Sequence, residues 1–141
     1  MSLRVVELKP FVPARDFALS RRFYADLGFT EASEAGGVAY FHHGEASFLL
    51  QDFYNKELAD NLMLHLLVED VAAWHARVAS IGLTQRYGVR QSDVVQQPWR
   101  MLDFALWDLP VSCGALPRMS RRGVTPDTTS SVGGSLGLRS L

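Results

Sequence analysis

Residues 13–29, PARDFALSRRFYADLGF, and residues 66–83, LLVEDVAAWHARVASIGL, are two versions of one phrase. Each leaves a strand-like apolar stretch, passes an aspartate, enters an amphipathic helix and stops at a glycine. Asp16 stands where an N-cap is wanted, because its side-chain oxygen can accept from an amide the helix leaves unpaired. Phe17, Leu19, Phe23 and Leu27 share one side at helical spacing, and Gly28 ends the run. In the second phrase Asp70 is the cap, Val71, Trp74, Val78 and Ile81 form the stripe, and Gly82 ends it. A shift of 54 residues lays Asp16 on Asp70, Ala18 on Ala72, Ala25 on Ala79 and Gly28 on Gly82.

Outward from these phrases the order of elements also repeats. Residues 3–12, LRVVELKPFV, are apolar and β-branched, which predicts a strand. After Gly28 come FTEASEA, GGVAYFHHGE and EASFLLQDF, three short antiparallel strands with turns at Gly36-Gly37 and near Gly44. A polar loop, YNKELAD, precedes a strand over 62–68. The second helix is followed by strand-like stretches at 83–90 and 101–107. A small half-sheet cannot cover both its faces, so two copies should pack together. The expected fold is α+β: two βαβββ modules, 3–53 and 61–116, forming a curved mixed sheet around a cleft, in one domain spanning 1–116.

Composition narrows the classes. The chain has 141 residues and a mass of 15.7 kDa, the size of one domain, and is 48% apolar and 21% charged, which excludes bulk disorder. Its single cysteine, Cys113, excludes a disulfide framework and favours a reducing compartment. No apolar run approaches the roughly 18 residues of a membrane span, and MSLRVVELK lacks the apolar stretch of a secretory signal. A cytoplasmic protein with no membrane partner is expected. The net charge of −1 comes without a basic stripe to neutralise phosphates, which argues against nucleic acid. Residues 117–141 are rich in Ser, Gly, Thr and Arg and are expected to be a disordered tail. With that tail set aside, 10 basic and 14 acidic residues remain, so the body is about −4.

The two phrases, together with ADNLMLHLLVED (59–70) and QPWRMLDFALWD (97–108), resemble the vicinal oxygen chelate superfamily. That superfamily includes glyoxalase I, extradiol dioxygenases and bleomycin resistance proteins. ADN and QPW are similar to the bleomycin resistance branch in particular. The resemblance covers residues 4–108. It implies that enzymes of this fold hold a divalent metal with His and Glu on four inward-facing strand positions, leaving sites open for a substrate's vicinal oxygens. The positions that match carry Lys9, Leu49 (Gln51 if the register slips) and Met63, and the fourth falls beyond Asp108, where the pattern breaks. A protonated lysine, a leucine and a thioether are no Lewis-acid site, so no metal and no cofactor are expected.

The remaining chemistry is sparse. His42 and His43 are adjacent, so a strand turns them to opposite faces. His65 follows Met63 by two and shares its face, while His75 lies on the second helix and reads as surface. No G-x-S-x-G or Walker loop is present, and no residue is singled out as catalytic.

Binding is better supported. The resemblance implies a homodimer in which a planar ligand stacks on the QPW tryptophan, here Trp99. The expected ligand-binding residues are Trp99, His65, Met63, Lys9, Phe41 and Leu49. The ligand of the resembling branch is cationic. Lys9 and a body charge of only about −4 leave a neutral or anionic aromatic ligand equally open. The alternative function is a metal-dependent glyoxalase-like lyase or a dioxygenase.

The chain departs from the resemblance after Trp107. DLPVSCGALPRM (108–119) matches neither the turn nor the alternating last strand. For one choice of synonymous codons, a nucleotide inserted in the Leu109 codon turns it into DPAGVLWRIAQN, which matches both. A frameshift at Leu109 is therefore expected, with the second module missing its last native strand, residues 101–107 left as an edge, and an out-of-frame tail behind.

Overall fold

A computed structural model of the chain describes residues 2–107, the side chain of Asp60 excepted, and the backbone of 116–122 and 134–137. In the first module β1 (Phe11–Pro13) leads into α1 (Phe17–Leu27), followed by β2 (Thr30–Ala35), β3 (Val38–His43) and β4 (Ala46–Gln51). A short helix α2 (Lys56–Asn61) connects to β5 (Met63–Leu67), α3 (Val71–Ser80), α4 (Leu83–Tyr87), β6 (Arg90–Gln91), β7 (Val95–Gln96) and β8 (Met101–Trp107). Two further strands are β9 (Leu116–Arg122) and β10 (Gly134–Gly137). Among the described residues no helix is long and apolar enough to cross a membrane.

The repeat is physical. Asp16 Oδ1 accepts from the Leu19 amide at 3.0 Å and Asp70 Oδ1 from the Ala73 amide at 2.9 Å, each satisfying one orphaned donor of its helix. Gly28 ends α1 with φ 127, a value that only glycine adopts readily. Gly36 and Gly37 turn β2 into β3 with φ 60 and 79, the left-handed pair that matches strand twist in a tight hairpin.

Each module makes its own sheet with the same neighbour order. In the first it is β1-β4-β3-β2, with β1 parallel to β4 and the rest antiparallel. In the second it is β5-β9-β8, with β6 and β7 both on the far side of β8 and β10 beside β5 and β9. Here again the first strand runs parallel to the last, β5 to β9.

The two modules share one core. Val12, Phe23, Leu27, Phe41, Phe48 and Leu50 from the first join Val71, Val78, Leu83, Phe104 and Leu106 from the second in one buried cluster. Across the seam the Phe23 and Tyr87 rings meet edge to face at 5.4 Å, and Arg77 Nε donates to the Leu27 carbonyl at 3.1 Å. Asp26 accepts from Tyr87 Oη and pairs with Arg86 at 2.8 Å.

Several expectations are corrected. The first strand is three residues, not ten: of residues 3–10 only the Pro10 carbonyl joins β4, accepting from the Leu49 amide, and Leu3 and Val6 are 90% and 92% exposed. The polar loop contains α2, capped by Asn55, whose side chain accepts from the Leu58 amide. The stretch 83–90 opens with α4. Strand 101–107 is not an edge, because β9 pairs with it from Met101↔Arg122 to Ala105↔Arg118. Open backbone donors and acceptors are costly, and a ladder can be completed by any extended segment whatever its side chains. Of the segment expected to be disordered, Pro117–Arg122 and Gly134–Gly137 are strand. The rest of it, the Leu109 position and Cys113 lie outside the described residues.

Candidate functional site

Strand alternation gives each sheet a core face and an open face. On β3, Ala39 and Phe41 are buried while Tyr40 and His42 lie on the open face; on β4, Phe48 and Leu50 are buried while Ser47 and Leu49 are open. Leu49 stands opposite Tyr40 on one side and Phe11 on the other. Lys9 lies on this face too, its ammonium 4.6 Å from the centre of the Tyr40 ring.

The Lys9 ammonium is also 2.7 Å from Glu7 Oε2. The Glu7 carboxylate further accepts from Tyr40 Oη at 2.9 Å and from Ser47 Oγ. The hydrogen bonds from Lys9, Ser47 and Tyr40 hold its pKa down to about 2, against partial desolvation. The hydrogen bond to Glu7 in turn raises the pKa of Lys9 and, together with desolvation, that of Tyr40.

Phe41 is not a ligand residue: it is fully buried on the other face, stacked on Phe48 at 5.4 Å. His43, turned to that side as well, meets Trp74 edge to face at 5.2 Å. His75 is half-buried rather than on the surface, with Nε2 3.0 Å from the Ser92 carbonyl oxygen and its ring against Phe104.

On the second sheet Leu64 and Leu66 pack against the core, which leaves Met63, His65 and Leu67 on the open face. On β8, Leu102, Phe104 and Leu106 take the core side, and Met101, Asp103, Ala105 and Trp107 the other. Asp103 is buried even so, and accepts from Gln97 Nε2 at 2.8 Å. Trp99 sits at the tip of the β7–β8 hairpin, whose turn is closed by the Gln97 amide on the Met101 carbonyl and the Arg100 amide on the Gln97 carbonyl. Arg100 takes the left-handed conformation there, φ 63, and Trp99 is 56% exposed.

The expected ligand residues therefore fall into two groups. Lys9 and Leu49 lie on the first sheet, and Met63, His65 and Trp99 belong to the second, all on surfaces turned away from the shared core. A cavity of about 520 Å3 opens between the β3–β4 turn and the start of α3, lined by His43, Glu45, Leu67, Glu69 and Trp74 among others, and none of the five lines it. Sequence reasoning singled out none of Glu7, Tyr40, Ser47, Arg90 and Trp107. Arg90 is exposed and lies 4.7 Å over the Trp107 ring, its ladder partner. The signal available for Tyr40 was its neighbour: two adjacent strand residues cannot face one side, and Phe41 pairs with Phe48.

Among the described residues no group of three or more His, Cys, Asp or Glu could hold a metal ion. The positions that the resemblance implies for a metal carry an ion-paired lysine, a leucine and a methionine, which do not fit a divalent Lewis acid.

No protein-family model matches the chain, and no curated protein sequence does. Solved structures do match. A bleomycin-binding protein complexed with bleomycin aligns at 20% identity over 74% of this chain and 90% of its own, TM-score 0.59. The bleomycin-binding protein of the bleomycin-producing Streptomyces verticillus, complexed with copper(II)-bleomycin, aligns at 21% identity over 79% and 94%, TM-score 0.61. A glyoxalase/bleomycin resistance protein/dioxygenase from Nocardioides aligns at 16% identity over 92% and 93%, TM-score 0.56. The chain shares the fold of these three structures. Within that fold it is similar to bleomycin-binding proteins.

Proposed function

We propose that the protein binds and sequesters a planar small molecule, without a catalytic metal, in a cleft completed by a second copy of the chain. The observation that carries this is the pair of open sheet faces. Both hold ligand-type residues, yet they flank one shared core and are turned away from it. A partner supplying the opposite face to each sheet gives two equivalent clefts, as a two-fold axis requires. The exposed N-terminal arm supports a partner: Leu3, Val5, Val6 and Leu8 are apolar and lie almost wholly in solvent. Trp99 offers a rigid indole face at the rim of the second sheet.

Titration with bleomycin while following tryptophan fluorescence tests the drug as ligand. A saturable change is expected, and no change at tens of micromolar removes the drug from consideration. Metal analysis of the purified protein separates this from a glyoxalase-like lyase or a dioxygenase. One stoichiometric Zn, Ni, Mn or Fe per subunit overturns the metal-free reading.

A further inference from the structure

We propose that the N-terminal arm, residues 2–8, docks into a second copy of the chain, in the cavity beside α3. This rests on the shared-cleft reading above and adds where the arm goes. The arm finds no cover in its own chain: Leu3, Val5, Val6 and Leu8 are between 79% and 92% exposed. Its root is nonetheless fixed. Glu7 is held to the open face of the first sheet by Tyr40 Oη and Ser47 Oγ, and the Leu49 amide donates to the Pro10 carbonyl. The arm therefore continues the parallel register of Phe11 with Leu49 and runs along β4 toward Ala46 and the β3–β4 turn. Residues 2–6 lie ahead of the Glu7 anchor and can reach up to roughly 17 Å when extended.

The cavity of about 520 Å3 opens at that same turn. Leu67, Val68 and Trp74 make part of its lining apolar. Its charge is of one sign: among the described residues the lining holds Glu45, Glu69 and Asp70 and no lysine or arginine. Glu45 and Glu69 are exposed and make no ion pair among the described residues. The arm offers the complement, apolar side chains around one cation. Arg4 is exposed and makes no ion pair among the described residues either.

The shared cleft decides which copy receives the arm. In it the first sheet of one copy lies against the second sheet of the other. Leu67 stands on the open face of the second sheet and also lines the cavity, so an arm carried on the first sheet arrives at the cavity of the other copy. A two-fold axis makes the exchange reciprocal. Once the faces have met, docking of each arm is intramolecular, so even a modest contact adds to association. Apolar burial supplies the affinity, and the charge of Arg4 between Glu45 and Glu69 fixes the register.

Sedimentation velocity of the full chain tests the charge contact. At roughly 50 mM salt Arg4→Glu is expected to weaken the dimer about tenfold, because two reciprocal pairs turn repulsive. Glu45→Arg is expected to do the same, and the two together to recover most of the loss. Cysteine pairing tests the place. In a Cys113→Ser background, chains carrying Val5→Cys are mixed with chains carrying Ala73→Cys, and mild oxidation is expected to link the two kinds of chain through a disulfide. Arg4→Glu without effect, or a double variant no better than either single one, overturns the docking and leaves the dimer intact. So does a mixture that stays unlinked, or a chain carrying both cysteines that closes only on itself. A wild type that is monomeric at micromolar concentration overturns the shared-cleft reading and the inference together.

Discussion

A carboxylate that accepts from three side chains, as Glu7 does from Lys9, Tyr40 and Ser47, prefers to stay ionised. Its pKa falls from 4.5 to about 2 on folding, so it stabilises the folded state above about pH 4.5 and that contribution is lost as pH drops toward 2. Glu7→Gln should therefore melt below the wild type at pH 6, and thermal scans should show the gap closing between pH 4.5 and 2. A gap independent of pH would contradict this account of Glu7. Phe41 and Tyr40 offer a second test at this scale. Phe41→Ala empties a fully buried ring site and should cost about 3–5 kcal/mol in urea unfolding. Tyr40→Phe removes one hydroxyl from an open face and should cost about 1 kcal/mol. Trp99→Ala, exposed at a hairpin tip, should leave stability within about 0.5 kcal/mol. Calorimetric titration with bleomycin should show Trp99→Ala weakening binding about tenfold, as loss of a stacking platform does. Met63 and His65 were legible as sharing a face because they stand two apart on one strand, whereas Lys9, Leu49 and Trp99 were singled out by the resemblance alone. Glu7 was not, because its partners Tyr40 and Ser47 lie 33 and 40 residues away and only the folded sheet brings them together.

The helices tell the same story from their ends. Asp16 and Asp70 make matching cap bonds, so Asp16→Ala and Asp70→Ala should each cost about 1 kcal/mol, and the double variant close to the sum, since the two caps share no partner. Chemical denaturation of the three variants checks this. These caps, with the glycine stops, made α1 and α3 legible. The six-residue α2 and the five-residue α4 are too short to show a helical period, which is why KELADN read as loop and LTQRY as strand. Strand β9 was illegible for another reason. LPRMSRR has no alternation, opens with a proline at its second residue, and sets Arg121 opposite Leu102, which packs toward the core. Pro117 brings no amide to a strand flanked on both sides. A segment so poorly matched to its position agrees with the single-nucleotide shift expected at Leu109. Sequencing the gene across that codon tests it: an intact frame overturns the shift, and an extra nucleotide in the native gene supports it.

For the whole molecule the repeat was legible as matching order and spacing. Which faces would meet was not, because each helical stripe is equally able to cover its own sheet or its neighbour's. The structure merges both into one core, and Tyr87, Arg86 and Arg77 fasten the second module to the end of α1. On the reading proposed above, a second copy covers the open faces and the apolar arm. Light scattering at micromolar concentration should give a mass near twice 15.7 kDa. Val6→Glu combined with Leu8→Glu should shift the protein toward monomer while leaving the helical circular dichroism unchanged. A monomeric wild type would remove the shared cleft.

The parallel ladder between β1 and β4 also sets an order of events in time. Phe11 pairs with Leu49, so the first strand leaves the ribosome before its partner does. At roughly 5–20 residues per second of synthesis, it waits on the order of 2–8 s, with the apolar arm ahead of it equally uncovered. Through that interval the nascent chain offers an unpaired apolar segment to whatever is nearby, including the same segment of a neighbouring chain on the same message.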